Sequence, residues 1–394
     1  KRFGSPLFIY SKAALLDRAR AFRDAFAPLG VRHHLALKAN DNLTLLHLLR
    51  EEGFGADCVS GGELQRAEAA GFEGHQIVFN GNGKSDRELI LAHRMDIALI
   101  VADALFELGP LAETAAVVGR DPVPMAIRLN PAIDPVTHPY LATGLETSKF
   151  GLPPADLPEA IAFLKANPQL QLRGLHTHLG SLIADPGPYL QSAQFLMDQA
   201  AMLRAEGFPV DDLSLGGGFA VPYADGEAFD LAAFVLQLMD LAAGTDFQWR
   251  LEPGRYLFAE TACLATTVLG HKTTEAKHFL VVDAGMTDNI RPALYHARHP
   301  VVPVVDTEES TTVDLVGPVC ESGDFLALDI GLPLLERGAM VAQLAVGAYS
   351  YAMQSRYNGR PRPPECLVSG NAFELIRDRE SVEDLGRRDL YFPN

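Results

Sequence analysis

Short apolar runs alternate with helix-patterned stretches along the chain up to about residue 260. The helical stretches at 42–53, 62–71 and 188–207 each end at a glycine, which is a common helix stop. The strand-like runs are HHLALK (33–38), GADCVS (55–60), QIVFN (76–80), IALIVAD (97–103), PMAIRLN (124–130), LRGLHTH (172–178), DLSLGGG (212–218) and FQWRLEPG (247–254). This alternation predicts a (β/α)8 barrel, although a doubly wound sheet has the same periodicity.

The pattern changes after residue 260, where short β-like runs follow one another with few long helical stretches between them. These runs are KHFLVVDAG (277–285), HPVVPVVD (299–306), TTVDLVGPV (311–319), MVAQLAVGAY (340–349) and ECLVSG (365–370). They predict a second, mostly β domain, which PLFIY (6–10) is expected to join as a strand. We therefore expect the barrel to cover 25–260 and the β-rich domain to combine 1–24 with 261–394.

Composition narrows the choice of partner and compartment. The formal net charge of -17 argues against binding to nucleic acid or to an anionic membrane surface, and no apolar stretch is long enough to span a bilayer. The four cysteines, Cys58, Cys263, Cys320 and Cys366, are far apart and have no metal-ligand spacing. We expect neither a disulfide framework nor zinc, and a cytoplasmic protein.

Polar residues fall where four of the predicted barrel strands end. The first run ends at Lys38, the sixth at His178, the seventh runs into Gly216–Gly218, and Glu252 lies at the end of the eighth. Taken singly, each is more often structural than functional: a solvated lysine, a hydrogen-bonded core histidine, a glycine turn and a surface carboxylate. Active sites of barrels form at the carboxyl ends of the strands, so their joint placement predicts a site.

This set of residue types suits pyridoxal phosphate. A lysine can hold the aldehyde as a Schiff base, and a glycine loop offers backbone N–H groups to a phosphate, to which Ser181 can add a hydroxyl. An imidazole such as that of His178 can stack on the ring. A carboxylate such as Glu252 can keep the pyridine nitrogen protonated, which favours decarboxylation.

The stretch GPVCESGD (317–324) places one cysteine beside two carboxylates, with glycines close by. From the residues alone, Cys320 could be a nucleophile, a metal ligand, half of a disulfide, a proton donor or a small buried hydrophobe, and the last is favoured. Cys58, Cys263 and Cys366 have no such polar surroundings in the sequence and are interpreted as structural.

Seven motifs together resemble a known family. They are ALKAN, SGGEL (60–64), HTHLGS, LGGGF (215–219), EPGR, CESGD and GAY (347–349). Their order is that of the fold-type III pyridoxal-phosphate decarboxylases, which include enzymes for ornithine, arginine and diaminopimelate. Three further stretches are similar to the diaminopimelate branch of that family: THPYLATGLETSKFGL (137–152), DAGMTDNIRPALYHA (283–297) and SRYNGRPRPPE (355–365).

The resemblance implies a role for each matching residue. It implies that Lys38 is the Schiff-base lysine, that His178 stacks on the cofactor ring and that Glu252 pairs with the pyridine nitrogen. The phosphate contacts that it implies are Ser181, Gly216, Gly217, Gly218, Gly254, Arg255 and Tyr349. The substrate contacts that it implies are Arg255, Arg291 and Tyr295 on the distal carboxylate, Glu321 on the distal ammonium, and Tyr349. Cys320 resembles the proton donor, which in this family comes from the second subunit of a homodimer whose active sites lie at the interface.

The reaction implied is decarboxylation of meso-2,6-diaminoheptanedioate to L-lysine and CO2, a step of lysine biosynthesis. Two arginines and a tyrosine suit a carboxylate at the far end of a small amino-acid substrate. Two departures are Leu182, where the diaminopimelate pattern has glutamine, and the short segment between Asp306 and Thr312. Alternatives are D-lysine, D-ornithine or a carrier-bound amino acid as substrate, and an inactive regulatory relative. Glu252 argues against an alanine-racemase-like reaction.

Overall fold

The chain is described from a computed structural model, which covers residues 2–134, 143–144, 148–224, 226–304 and 310–388. It forms two compact units. The barrel unit comprises Leu16–Val221 and Glu227–Tyr256, and the β unit comprises the remaining described residues, including 222–224 and 226. The domain boundaries expected from the sequence, 25–260 for the barrel and 1–24 with 261–394 for the β-rich domain, stay a prediction.

Strands and helices are numbered in chain order. The strands are β1 (Leu7–Ser11), β2 (Arg32–Ala36), β3 (Gly55–Cys58), β4 (Ile77–Phe79), β5 (Leu99–Ala102), β6 (Val123–Arg128), β7 (Leu170–His176), β8 (Asp212–Ser214), β9 (Gln248–Leu251), β10 (Ala262–Thr273), β11 (His278–Val282), β12 (Val301–Pro303), β13 (Thr311–Val316), β14 (Phe325–Leu332), β15 (Met340–Leu344), β16 (Glu365–Ser369) and β17 (Ala372–Arg377). The helices are α1 (Lys12–Ala25), α2 (Leu43–Glu51), α3 (Gly61–Ala69), α4 (Asp86–Arg94), α5 (Leu108–Val118), α6 (Leu157–Ala166), α7 (Gly187–Ala205), α8 (Leu231–Ala242), α9 (Arg255–Phe258), α10 (Arg291–Tyr295) and α11 (Val382–Gly386).

Strands β2 to β9 form a closed parallel barrel in sequence order. The ring closes where β2 pairs with β9, with His33 opposite Leu251. A doubly wound sheet has no such closing pair, so the predicted (β/α)8 barrel is confirmed. Buried apolar side chains on neighbouring strands, such as Val78, Val101 and Ala126, pack together in its core.

The predicted strand ends were wrong at two of the proposed site residues. Strand β2 ends at Ala36, and Lys38 lies in the following 3-10 turn Leu37–Ala39. Strand β7 ends at His176, two residues before His178. In both cases the polar residue lies in the connection beyond the ladder, because the chain turns away there. The sequence pattern of the apolar run does not register that turn.

The helix ends agree better with the sequence. Helices α2, α3 and α7 stop two residues before Gly53, Gly71 and Gly207. These glycines have φ angles of 89°, 92° and 93°, in the left-handed region that other residues adopt only with strain. The three predicted glycine stops are therefore confirmed.

The β unit contains one mixed sheet, ordered β14-β13-β11-β10-β1-β16-β17, with β15 on β10 and β12 on β15. Strand β1 pairs antiparallel with β10 and parallel with β16, so PLFIY joins the sheet as expected. The prediction missed β10, β14 and β17. The sequence of β10, ACLATTVLGHKT, is rich in small and hydroxyl residues. It therefore lacks the apolar signal that its central position requires.

No helix within the described residues is both long enough and apolar enough to cross a membrane.

A buried ion pair ties two loops at the carboxyl ends of β4 and β5. Lys84 Nζ lies 3.1 Å from Glu107 Oε2 and donates to the carbonyl of Val101 at 2.6 Å, and both charged side chains are almost fully buried. The Glu107 carboxylate also accepts the backbone N–H groups of Gly83 and Asp103. Burial lowers the pKa of Lys84, an effect that the Glu107 charge opposes. Removing either partner would leave the other as an uncompensated buried charge.

Replacing Lys84 by methionine is expected to lower the free energy of unfolding by about 3–5 kcal/mol, because a buried carboxylate then loses its counter-charge. Urea unfolding measures the change. The control is Lys165→Met, which removes a lysine from an exposed pair with Glu206 and should leave stability unchanged. Equal stability of the Lys84 variant and the wild type would contradict the account of the buried pair.

Candidate active site

Glu252 follows β9 directly, and both oxygens of its carboxylate accept hydrogen bonds from buried side chains. Its Oε2 accepts a hydrogen bond from His176 Nε2 at 2.9 Å, and its Oε1 accepts one from Ser214 Oγ at 2.9 Å. All three side chains are buried. Burial opposes ionisation, but the interactions with His176 and Ser214 outweigh it and hold the pKa of Glu252 well below its ordinary value. These interactions favour the ionised form of Glu252 inside the barrel.

A second carboxylate, Asp57 on β3, behaves in the opposite way. Burial raises its pKa to about 7, and the nearby charge of Glu252 acts in the same direction, while Lys38 opposes it. Asn80 donates to Asp57 Oδ1 at 2.6 Å. Two carboxylates in one site cannot both ionise easily, so their environments separate them into an ionised and a readily protonated group.

Lys38 is half-buried, and its charge acts on several titratable groups. It opposes the raised pKa of Asp57 and of Glu63, whose shifts arise mainly from burial. The pKa of His178 is lowered well below its ordinary value, first by burial and then by the charge of Lys38. His178 is therefore neutral at ordinary pH. Gly217 N–H donates to its Nδ1 at 3.2 Å, which puts the remaining ring proton on Nε2.

The loop after β8 brings bare backbone close to its neighbours. Gly216 and Gly218 have φ angles of 67° and 106°. A Cβ atom on Gly217 would lie 2.1 Å from the carbonyl oxygen of Glu252, and one on Gly218 would lie 2.1 Å from that of Gly180. No side chain fits at either position, so the bare backbone of the loop can approach a phosphate closely. These residues therefore fit the phosphate of a pyridoxal cofactor.

The remaining predicted residues of the barrel unit lie close in sequence or space to that loop. Arg255 is buried at the start of α9 and donates from Nε and Nη2 to Ser181 Oγ at 3.1 and 2.9 Å. Gly254 lies in the turn between β9 and α9. Helix α9, which begins at Arg255, is only one turn long.

Five predicted residues belong to the β unit. Arg291 is fully buried at the start of α10, whereas Tyr295 is half-buried at its end. Cys320 and Glu321 are exposed in the loop between β13 and β14, and Tyr349 is half-buried after β15 with a φ angle of 59°. Of the alternatives for Cys320, a small buried hydrophobe is wrong for this chain, because the residue is exposed.

The loop that carries Cys320 is held by two side chains. Cys320 N–H donates to Asn358 Oδ1 at 2.8 Å. Asp324 accepts the N–H of Val319 at 2.6 Å and that of Met286 at 2.6 Å. The Cys320 loop is therefore fixed to the loop that precedes Arg291.

Sequence reasoning missed several residues that contact the predicted ones or interact with their charges. They are Asp57, His176, Ser214, Tyr223 and Asn358. His176 and His178 alternate in HTH, and a strand period of two was a usable signal for both. An aspartate within the apolar run GADC was another. Ser214, Tyr223 and Asn358 gave no signal, because their contacts join residues distant in sequence. Part of the motif at 137–152 lies outside the described residues.

Comparison with known proteins gives the class. Residues 12–259 match the family described as "Pyridoxal-dependent decarboxylase, pyridoxal binding domain". The match covers the barrel and the residues that fit a pyridoxal cofactor. The chain therefore belongs to the pyridoxal-dependent decarboxylases and is a carboxy-lyase that uses pyridoxal phosphate.

Within that family, its relatives include diaminopimelate decarboxylases. The enzyme of that name from Aquifex aeolicus is 39% identical over 97% of this chain and 90% of its own length. The one from Neisseria meningitidis serogroup B is 38% identical over 98% of this chain and 94% of its own length. The crystal structure of the Helicobacter pylori enzyme complexed with L-lysine superposes with a TM-score of 0.94 at 37% identity, covering 98% and 96% of the two chains.

Replacing Gly217 by alanine is expected to weaken pyridoxal phosphate binding about 10-fold or more, because the added methyl displaces the loop from the Glu252 carbonyl. Cofactor titration of the apoprotein, followed by the absorbance of the bound chromophore, measures the affinity. The matched control is Gly109→Ala in α5, where a Cβ meets nothing within 4 Å. Unchanged affinity of the Gly217 variant would show that the loop does not approach the cofactor.

Proposed function

We propose that this chain removes CO2 from the D-centre of meso-2,6-diaminoheptanedioate and releases L-lysine, in lysine biosynthesis. The observation that carries the proposal is similarity over nearly the whole chain to enzymes named diaminopimelate decarboxylase. The complex of the Helicobacter pylori relative with L-lysine supports it further. The matching regions include both the barrel and the β unit, so the support extends beyond the cofactor to the substrate.

In this proposal the barrel residues hold the cofactor. Lys38 would hold its aldehyde. Because the N–H groups of Gly216 and Gly217 donate to Ser214 Oγ and His178 Nδ1, the glycine loop 216–218 would bind the phosphate through the N–H of Gly218. Gly254, Ser181, Arg255 and Tyr349 would complete the phosphate site. Neutral His178 would pack on the ring face. When bound, pyridoxal phosphate supplies an electron sink for the negative charge left on the α-carbon as CO2 departs.

Glu252 has the task that its environment suits best. Because His176 and Ser214 keep it ionised, Glu252 would hold a proton on the pyridine nitrogen throughout turnover. A cationic ring nitrogen strengthens the electron sink, so the carboxylate favours loss of CO2.

The β unit would recognise the far end of the substrate. Arg291 and Tyr295, with Arg255, would bind the distal carboxylate, and Glu321 and Tyr349 would lie near the distal amino group. A guanidinium matches the two oxygens of a carboxylate, so a substrate that lacks this group forgoes that bidentate contact. The preference for a diamino diacid follows from that difference.

Cys320 would deliver the proton that replaces CO2 on the α-carbon. A thiol is a suitable general acid at neutral pH. We further propose that it acts in the site of a second copy of the chain, in a homodimer, as the resemblance implies. Its exposure on the β unit, on a loop fixed by Asn358 and Asp324, is compatible with that assignment.

We also propose a cytoplasmic location. All four cysteines of the chain are free thiols, which suits a reducing compartment, and the proposed substrate is a small biosynthetic amino acid.

CO2 release from parallel substrates tests the reaction. The purified enzyme with pyridoxal phosphate is expected to act on meso-diaminopimelate and to be nearly inactive on D-lysine, D-ornithine, L-ornithine and L-arginine. Arg291→Ala should raise the KM for the diacid far more than that for D-lysine, which lacks the distal carboxylate. Faster release from D-lysine or D-ornithine would refute the assigned substrate and favour one of these alternative substrates.

Subunit mixing tests the shared site. Lys38→Ala is expected to abolish turnover, and Cys320→Ala to slow it about 100-fold or more while pyridoxal phosphate stays bound. Co-expressed at equal amounts, the two variants should recover about one quarter of the wild-type rate, since half of the dimers are mixed and each has one intact site. No recovery in a dimeric mixture would mean that both residues serve the same subunit's site.

A further inference from the structure

Tyr223 contacts Arg291 in two ways within the β unit. Arg291 Nη1 donates a hydrogen bond to the Tyr223 hydroxyl oxygen at 2.7 Å. The guanidinium carbon also lies 5.0 Å from the centre of the tyrosine ring, within the range of a cation–π contact. Arg291 is fully buried, so these contacts are made away from bulk water, where charge-assisted hydrogen bonds are stronger.

The ring of Tyr223 is itself held in place. Its centre lies 4.9 Å from that of His299, with the two planes at 70°, an edge-to-face arrangement. His299 is buried, and its Nδ1 donates to the carbonyl of Leu344 at 3.1 Å, at the end of β15. The ring of Tyr223 is thus packed against a histidine that is anchored to the sheet, and Tyr223 in turn holds Nη1 of Arg291.

The chemistry of the phenol suits this task. A guanidinium has five N–H donors in a planar fork, and it binds a carboxylate well only when the fork faces the two oxygens. A tyrosine hydroxyl accepts one of these N–H groups but brings no negative charge. It therefore orients the cation without neutralising it, whereas an aspartate at the same place would neutralise the charge that the ligand needs.

We infer that Tyr223 is a positioning residue that sets the direction of the Arg291 guanidinium and thereby determines selectivity for ligands with a carboxylate at the end remote from the reaction. The inference rests on the proposed function, in which Arg291 binds that carboxylate. It adds a residue of the 222–224 segment, five positions after Gly218 in the chain, to the determinants of specificity.

Binding of two ligands to the pyridoxal-phosphate-loaded enzyme tests it without turnover. L-Lysine carries the carboxylate, and cadaverine is the same molecule without it. In Tyr223→Phe, the dissociation constant for L-lysine measured by calorimetry should rise about 10-fold, because Arg291 loses a charge-assisted hydrogen bond. That for cadaverine should change less than about 2-fold. With meso-diaminopimelate, KM should rise while kcat is nearly retained.

Three comparison variants separate positioning from general damage. Tyr351→Phe makes the same change, loss of a hydroxyl, in another tyrosine of the β unit that lies against an arginine, Arg377, and it should leave the ratio of the two dissociation constants unchanged. Arg291→Ala should abolish the preference for L-lysine. Tyr223→Leu, which lacks the ring as well, should reduce the preference at least as much as Tyr223→Phe.

The outcomes distinguish the inference from the function on which it rests. If Arg291→Ala loses the preference and Tyr223→Phe keeps it, the inference is wrong and the proposed function stands. If Tyr223→Phe raises the dissociation constants for L-lysine and cadaverine equally, the tyrosine is only structural and the inference is again wrong. If the unaltered enzyme does not prefer L-lysine to cadaverine, the proposed function fails and the inference fails with it.

Discussion

The ionised carboxylate of Glu252 is the constraint on which the mouth of the barrel depends. A buried charge is tolerated only where donors compensate for lost water, and here the donors come from two neighbouring strands, His176 on β7 and Ser214 on β8. Ser214 Oγ also accepts the N–H of Gly216 at 3.2 Å, so the group that supports the charge is joined to the glycine loop. Cofactor chemistry and cofactor anchoring therefore rely on one polar core.

That core has consequences for the surrounding titratable groups. The fixed charge of Glu252 adds to the burial of Asp57 and keeps the pKa of the second carboxyl near neutrality, while the charge of Lys38 adds to the burial of His178 and keeps the imidazole neutral. One ionised acid, one acid near its titration point and one neutral histidine thus coexist within a single barrel. Most barrels fill the same volume with apolar layers, and the difference here reflects the needs of a charged aromatic cofactor.

Much of the fold followed from the sequence, because the barrel repeats one simple signal. An apolar strand, a helical stretch and a glycine stop recur, and Gly53, Gly71 and Gly207 mark helix ends as expected. Strand β10 was missed because threonines and alanines serve in the middle of a sheet when both neighbours supply the apolar contacts. Its propensity is set by tertiary packing, which a single sequence does not display.

The candidate site divides in the same way. Lys38, His178, the glycine loop and Glu252 were predicted because each has distinctive chemistry at the end of an apolar run. Their supporting partners were not, since Ser214 and Tyr223 are common residue types whose partners lie 38 and 68 positions away. Residues with distinctive chemistry can therefore be predicted from the sequence, whereas the residues that orient them cannot.

The segment that holds Tyr223 has a further consequence for recombination between relatives. Although 222–224 lies between β8 and α8 in the chain, it belongs to the β unit. Exchange of the carboxyl-terminal half alone would bring a foreign arginine and histidine against a resident tyrosine. In a chimera joined at the apparent domain junction, Tyr223 would therefore come from one parent, and the arginine and histidine that contact it would come from the other. To transfer the substrate specificity intact, an exchange of the β unit must also include the segment 222–224, which lies between β8 and α8 in the chain.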